Sequence, residues 1–559
     1  MITAHANTLL SRLSLVYLGT LIMLSCSTVA YGQQEDDREG QLQDAEVLIE
    51  KNRQIILNEE EKIVEYIQYQ PKNQSIELPE DGFKAYEYNR KEAAISYDAP
   101  EVADQAKSPI YKQHVLAGIG NYLSPVLKVN LVTPTDPDRV LGLKYEHFSF
   151  ATGPIDDRNS GASYNDLKLY GIGNFEQISI RPYLSYRHDR NYYYGYVPSD
   201  QTPRRDSIRR AFGNFELGIK LVDNLVKDEL DYAIGLAFGN QSDNYDNSEN
   251  QFTLDGTLSI NKQINLKSLI KSTKLNSSDT SLNRSYYRIL PYYTLNLGEL
   301  SADLGISLNG QNDDLVTLNK TRIFPYIDAK YNLTKQYAAF AKLDAGYNFN
   351  TLASQSMEVP YLTPNINIQN SKIAYDLQLG VSGKPMDKLM IMGYVGLSQI
   401  NNLQTWVNDS TYRSWITPVY DNGKTDILNI GLTASYFINK QHELKTTLDL
   451  YSYNTDKLDD AYHLPTMRLT TTGHHQIIDR LMIQWKLTML GGLKAYDHVL
   501  DKSVKLDLIP RADVMVHYQI IPQAGAFISF DNLLSQSYQR FYHYPERGIV
   551  FRIGGTYRF

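Results

Sequence analysis

The sequence predicts an all-β protein, a large antiparallel transmembrane β-barrel of about 22 strands, with 18–20 strands as the alternative count. Apolar and polar residues alternate with period two over many segments. The links between these segments alternate between short and long, and the last segment ends on Phe559. A barrel strand needs only about 10 residues with every second one apolar, so a chain with only 42% hydrophobic residues can still span a membrane.

The alternation is clearest in the segments 230–240, 300–309 and 428–436. In the first of these, Leu236 and Phe238 share one face, while Gly235 and Ala237 share the other. A further segment places five apolar residues on one predicted face: Ile373, Tyr375, Leu377, Leu379 and Val381. A strand with one apolar and one polar face fits a barrel wall between lipid and a polar lumen.

The lengths of the links distinguish a barrel from a soluble β-sandwich. Read back from the end of the chain, short links at 520–523, 478–480, 438–442 and 384–387 alternate with long links at 496–502, 454–466 and 401–426. Outer-membrane barrels have tight periplasmic turns and extended external loops, whereas a sandwich has no reason to sort its links in this way. An even strand count places both ends of the wall on the periplasmic side.

The N-terminal part predicts export. Residues 1–32 have the pattern of a signal peptide, with cleavage between Gly32 and Gln33. An imperfect lipoprotein-like pattern gives lipidation at Cys26 as the alternative. Residues 33–110 are charged and poorly patterned, which predicts an irregular periplasmic or lumen-filling extension, and residues 111–559 form the predicted barrel.

The final strand resembles the C-terminal signal by which the barrel-assembly machinery recognises outer-membrane barrels. Its residues on the predicted outward face include Phe551, Ile553, Tyr557 and Phe559. The expected location is therefore the outer membrane of a Gram-negative cell, with lipid and the assembly machinery as partners.

The final hairpin also resembles that of TonB-dependent receptors. The resemblance rests on Asp531-Asn532-Leu533-Leu534, Tyr538, Phe541, Tyr544-Pro545, Gly548, Arg552 and Tyr557-Arg558-Phe559. Residues 117–122 are similar to a plug-poor group of such proteins in the Bacteroidetes. The resemblance covers the barrel and implies recognition or import of a ligand, with TonB or an accessory lipoprotein as a partner.

One departure from this family concerns the plug domain that precedes the barrel. Residues 33–110 are too few and too polar for a plug of usual size, although residues 46–50 resemble a TonB box. An empty lumen would leak, so the extension, inward loops or a partner must fill it. A structural or accessory barrel and a passive channel are therefore the alternative functions.

The sequence offers no cofactor site and no clear catalytic site. The segment 187–210 predicts an external loop whose residues contact a ligand or lipid headgroups: Arg190, Tyr192, Tyr193, Tyr194, Arg204 and Arg205.

His474 and His475 are expected on opposite faces of a strand, so they cannot share a metal ion. His188-Asp189 lacks a nucleophile, and Asp156-Asp157 and Asp459-Asp460 are expected to be solvated loop carboxylates. A net charge of −8 without a basic block argues against nucleic acid.

Overall fold

The computed structural model describes residues 113–133, 138–197, 202–223, 229–277, 281–318, 320–439 and 441–559. These residues form a closed antiparallel sheet of 22 strands, which confirms the predicted barrel and its strand count. The first strand pairs with the last, from His114 opposite Arg558 to Gly120 opposite Arg552, so the sheet has no free edge. The predicted signal peptide, the Gly32–Gln33 cleavage site and the extension lie outside the described residues.

The strands are named in chain order. The first 15 belong to the barrel: β1 His114–Gly120, β2 Val126–Val132, β3 Arg139–Phe150, β4 Ala162–Asn174, β5 Ile178–Tyr192, β6 Arg209–Asp223, β7 Leu230–Asp243, β8 Ser248–Ile260, β9 Ile264–Asn276, β10 Ser281–Leu297, β11 Leu300–Gln311, β12 Thr321–Asn332, β13 Tyr337–Asn348, β14 Ser371–Met386 and β15 Leu389–Asn401. The remaining barrel strands are β18 Lys424–Asn439, β19 His442–Asn454, β20 Met467–Ile478, β21 Leu481–Gly491, β24 Ile509–Gln519, β25 Ala524–Asp531 and β28 Val550–Arg558.

Besides short 3-10 turns, the long connections of the described residues contain six further strands and one α-helix. They are the hairpins β16 Gln404–Asn408 with β17 Ile416–Tyr420, β22 Lys494–Asp497 with β23 Lys502–Lys505, and β26 Gln539–Phe541 with β27 Tyr544–Pro545, and the helix α1 Leu352–Glu358. No helix in the described part of the chain has the length and apolar character needed to cross a membrane.

The two ends of the barrel differ in their connections. Long connections such as 349–370, 402–423 and 532–549 all lie at one end, and turns such as 387–388 and 479–480 lie at the end where β1 begins and β28 finishes. This confirms the predicted sorting of short and long links. The end with the long connections is therefore the outer mouth, and the other is the periplasmic end.

The outward face of the wall is apolar and the inward face is polar. On β18, Leu428, Ile430 and Leu432 are exposed, whereas Asn429 and Thr433 are buried. The final strand follows the same rule, because Phe551, Ile553, Tyr557 and Phe559 point outward while Arg552 points into the barrel. A closed barrel with an apolar outer band belongs in the outer membrane.

The predicted orientation of one side chain, that of Ile373, is wrong. Ile373 was expected on the outward face with Tyr375, but it is buried on the lumen side. A bulge between these two residues shifts their pairing with β15, and the pairing of β13 with β14 shifts at the same height. An extra residue in one strand reverses the face of every side chain beyond it, and the period-two pattern cannot reveal this.

Candidate functional site at the outer mouth

The connection between β13 and β14 folds inward across the outer mouth. We call residues 349–370 the lid. Its helix α1 begins after Thr351, whose hydroxyl accepts from the Ser354 backbone N–H at 3.1 Å while the Ser354 hydroxyl receives the Thr351 N–H at 2.9 Å. This reciprocal cap stabilises a helix of fewer than two full turns. Leu352, Val359 and Leu362 are fully buried, so the lid is packed against other parts of the mouth.

One buried ion pair on the wall holds the start of the lid. Arg284 of β10 contacts the Glu249 carboxylate of β8 at 3.1 Å and donates to the Asn350 carbonyl at 2.8 Å. The second oxygen of Glu249 accepts from the Leu352 N–H at 2.5 Å, at the N-terminus of α1. The carboxylate therefore meets both the guanidinium and the N-terminal backbone of the helix, which offset part of the cost of its burial.

A second buried ion pair holds the middle of the lid. Arg210 of β6 contacts Asp243 of β7 at 2.6 Å and donates through Nε to the Leu362 carbonyl at 2.9 Å. Asn247, in the loop after β7, donates to Asp243 at 2.9 Å and to the Pro364 carbonyl at 3.1 Å. The arginine of each buried ion pair on the wall thus also donates a hydrogen bond to a lid carbonyl. Opening the lid would remove these hydrogen bonds and leave the buried charges less well paired.

Aromatic rings from three connections pack around the lid. Tyr361 of the lid stacks on Tyr544 of β27 at 3.7 Å between ring centroids, and Tyr194, which follows β5, meets Tyr544 edge-on at 4.8 Å. The Tyr361 hydroxyl donates to that of Tyr194 at 3.0 Å, and the Tyr193 hydroxyl donates to the Leu362 carbonyl at 2.6 Å. These contacts belong to one hydrophobic cluster at the mouth, and these tyrosine hydroxyls are hydrogen-bonded.

The C-terminal end of α1 contacts the β16–β17 hairpin. The indole N–H of Trp406 donates to the Glu358 carboxyl at 2.6 Å. Burial raises the pKa of Glu358 to about 8, and the indole hydrogen bond and the nearby Arg540 only partly oppose this shift. The carboxyl is therefore mostly protonated at neutral pH, and the lid carries a titratable group at its contact with Trp406.

His463, in the connection between β19 and β20, links two other connections beside this contact. Its Nδ1 lies 2.7 Å from the Trp406 carbonyl, and its Nε2 accepts from the Tyr542 N–H at 3.1 Å. Since Nε2 accepts, Nδ1 must carry the proton in the neutral ring. Burial lowers the pKa of His463 to about 3, so the ring stays neutral and serves as a fixed link.

The three tyrosines of the predicted external segment are buried in this core. Tyr192, Tyr193 and Tyr194 are between 1% and 4% exposed, so their rings hold the connections together and present no open face to an external ligand or to headgroups. Arg205 lies over the Tyr192 ring at 4.4 Å, while Arg190 and Arg204 are exposed. Contact of a ligand or headgroup with the three arginines stays a prediction.

The residues that carry the family resemblance shape the last outer connection. Asp531 and Arg552 form a buried ion pair at 2.5 Å across β25 and β28. Asn532 has a left-handed backbone with φ of 50°, and its side chain donates to the Arg547 carbonyl at 2.7 Å. Asn tolerates this conformation better than most residues, which accounts for Asn at this turn. The motif thus positions the connection that carries Tyr544.

The other sequence-predicted polar pairs do not converge on a reactive site. Asp189 pairs with Arg187 at 2.5 Å, Asp156 receives the Tyr196 hydroxyl, and Asp460 pairs with Lys494 at 2.5 Å. Across the described ranges, no group of three or more His, Cys, Asp or Glu side chains is placed to hold a metal ion.

Comparison with known proteins finds a similarity of fold, to solved structures of outer-membrane proteins. The sequence matches no protein-family model and no curated protein. The structure is similar to the ferric-catecholate import receptor Fiu of E. coli K12, with a TM-score of 0.58, 11% identity, and 80% of this chain and 82% of that chain covered.

Two further similarities reach a TM-score of 0.61 at 11% identity. They are the ferric enterobactin receptor PfeA of Pseudomonas aeruginosa, with 80% of this chain and 81% of that chain covered, and the FrpB iron transporter of Neisseria meningitidis, with 80% and 82% covered. At this identity the similarity shows the fold. The described residues therefore share the barrel fold of these structures, and the suggested link to a plug-poor Bacteroidetes group stays a prediction.

Proposed function

We propose that this protein is an outer-membrane receptor that binds a ligand at the cell surface and imports it through the barrel with energy supplied through TonB. The observation that carries the proposal is the lid. Two buried ion pairs and a shared aromatic core fasten it across the outer mouth. A passive channel needs an open mouth, whereas a receptor needs a closed mouth that opens when a ligand is bound and energy is supplied.

Ferric siderophores are the first ligand class to test. The similar structures are named as a ferric-catecholate import receptor, a ferric enterobactin receptor and an iron transporter. At the mouth of this protein, exposed Arg204 could pair with anionic ligand groups, and Tyr412 presents a half-exposed ring stacked on Trp415 at 4.1 Å.

The test compares uptake in cells that produce the full chain with and without TonB, using a panel of iron-loaded siderophores. We expect uptake of at least one siderophore, and its loss without TonB. Uptake that persists without TonB would indicate a passive route.

Conductance of the purified full chain tests the lid separately. We expect little conductance from the natural protein and open channels after deletion of residues 352–368. Shortening the β22–β23 hairpin by removing residues 498–501 is the matched control, because it also shortens an outer connection but leaves the lid intact. Closed channels in the lid deletion, together with no uptake of any siderophore, would favour a structural barrel.

A further inference from the structure

Two histidines on neighbouring strands form a pair on the outside of the barrel. His442, the first residue of β19, lies directly opposite His475 of β20. Their Nδ1 atoms are 3.3 Å apart and their ring centroids are 5.4 Å apart. The neighbour in sequence, His474, points the other way, because its Nδ1 lies 3.3 Å from the amide of Gln484, which is buried on the lumen side. The two faces of β20 thus carry one histidine each.

The pair lies where the wall meets water at the periplasmic end. His442 follows the short connection from β18 directly, and Asn439 at the end of β18 is its cross-strand neighbour. An aromatic side chain lies on each side of the pair along the strands: the Trp485 ring is 6.4 Å from that of His475, and Tyr518 lies closer to the turn. Such rings mark the membrane–water interface of barrels. Water can therefore reach the pair.

The separation of the two nitrogens matches the spacing of two ligands on one metal ion. Zn²⁺ binds imidazole nitrogen at about 2.0–2.1 Å with tetrahedral geometry, which places two such nitrogens about 3.3–3.4 Å apart. We propose that His442 and His475 bind one divalent transition-metal ion of the zinc type on the periplasmic rim. Water molecules complete its coordination, because no third metal-binding side chain joins the pair among the described residues.

The pair is also satisfied without a metal ion. One Nδ1–H donates to the other Nδ1, which explains why two polar rings can lie side by side in an aromatic belt. When the ion binds, that proton moves to Nε2 of the same ring, and both Nδ1 lone pairs then face the ion. The step needs no net release of a proton from neutral rings. The inference is independent of the proposed transport function, since the pair is on the wall and far from the lid in sequence and in strand order.

Titration with ZnCl₂ tests the proposal. The full chain is purified in detergent with a tag that contains no histidine, treated with a chelator, and titrated by calorimetry. We expect one saturable site per chain and a loss of affinity of about tenfold or more in His442→Gln and in His475→Gln. His474→Gln is the matched control, because it removes the adjacent histidine on the lumen face, and we expect it to bind as tightly as the natural protein.

Two results would overturn the proposal: no saturable binding by the natural protein, or equal binding by His442→Gln and His474→Gln. Fluorescence gives a second measurement that does not depend on variants of the ligands. Cu²⁺ bound at the pair should quench Trp485, so quenching should be reduced in Trp485→Phe and retained in Trp415→Phe at the outer mouth. The reverse order would place the ion elsewhere.

Discussion

The two ends of this barrel are built in opposite ways. At the periplasmic end, adjacent strands are joined by turns as short as 298–299 and 387–388. At the outer end, connections of many residues fold inward and form a hydrophobic core of their own, with buried ion pairs beneath it. Short turns are thus sufficient to join the strands of the wall, whereas the long outer connections close the mouth. Changes in the contacts that fasten the lid should therefore alter gating, whereas changes at the periplasmic end should alter little.

Arg284→Met should have the largest effect on the closed mouth. The change leaves the Glu249 carboxylate buried without its charged partner, at a cost of about 3–5 kcal/mol. Hydrogen exchange of the lid amides should accelerate by about two to four orders of magnitude. Lys320→Met is the control, since its exposed pair with Asp314 contributes no more than about 1 kcal/mol. Unchanged exchange in Arg284→Met would show that other contacts fasten the lid.

Leu362→Ala should open the lid by a different route. This side chain is fully buried in the core of the mouth, and its truncation costs about 2–5 kcal/mol through lost contacts and a cavity. Protease cleavage within residues 349–370 should become faster. Leu333→Ala removes the same atoms from an exposed position in the turn between β12 and β13 and should change stability by less than about 0.5 kcal/mol. Equal sensitivity at both sites would remove the distinction between the two ends.

The lid should loosen as the pH rises. The pKa of Glu358 is raised from 4.5 to about 8 by burial, so the protonated form favours the closed lid. This contribution is complete below about pH 4.5 and is lost as the pH rises through about 8. The frequency of channel opening in planar bilayers should increase over this range. In Glu358→Gln, which stays neutral, the increase should disappear; a natural protein whose opening does not respond to pH would contradict this role.

The smallest effect is expected from a longer periplasmic turn. Insertion of Gly-Gly between Asp387 and Lys388 roughly doubles the length of the turn between β14 and β15, at a cost near 0.6 kcal/mol. The midpoint of urea unfolding, followed by the gel shift of the folded barrel, should move little, and the mouth should stay closed. A channel that opens after this insertion would show that the two ends are coupled through the wall.

Part of this architecture could be predicted because it depends on local pattern. Lipid contact on one face of each strand requires an apolar residue at every second position, which made β7, β11 and β18 recognisable. The bulge at Ile373 was missed because one extra residue leaves the composition unchanged but reverses the face. The burial of Tyr193 and Tyr194 was missed for another reason: their partners, Leu362 and Tyr544, are distant in sequence.

The sequence by itself determined the barrel, its approximate strand number, the ends at which long and short connections lie, and the outward face of the final strand from Phe551 to Phe559. These features follow from the period of a β-strand and from the lack of hydrogen-bonding partners in lipid. Only the tertiary structure decided what closes the mouth and which histidine faces His475. Both depend on contacts between residues far apart in the chain, and strand register, which no local pattern encodes, brings them together.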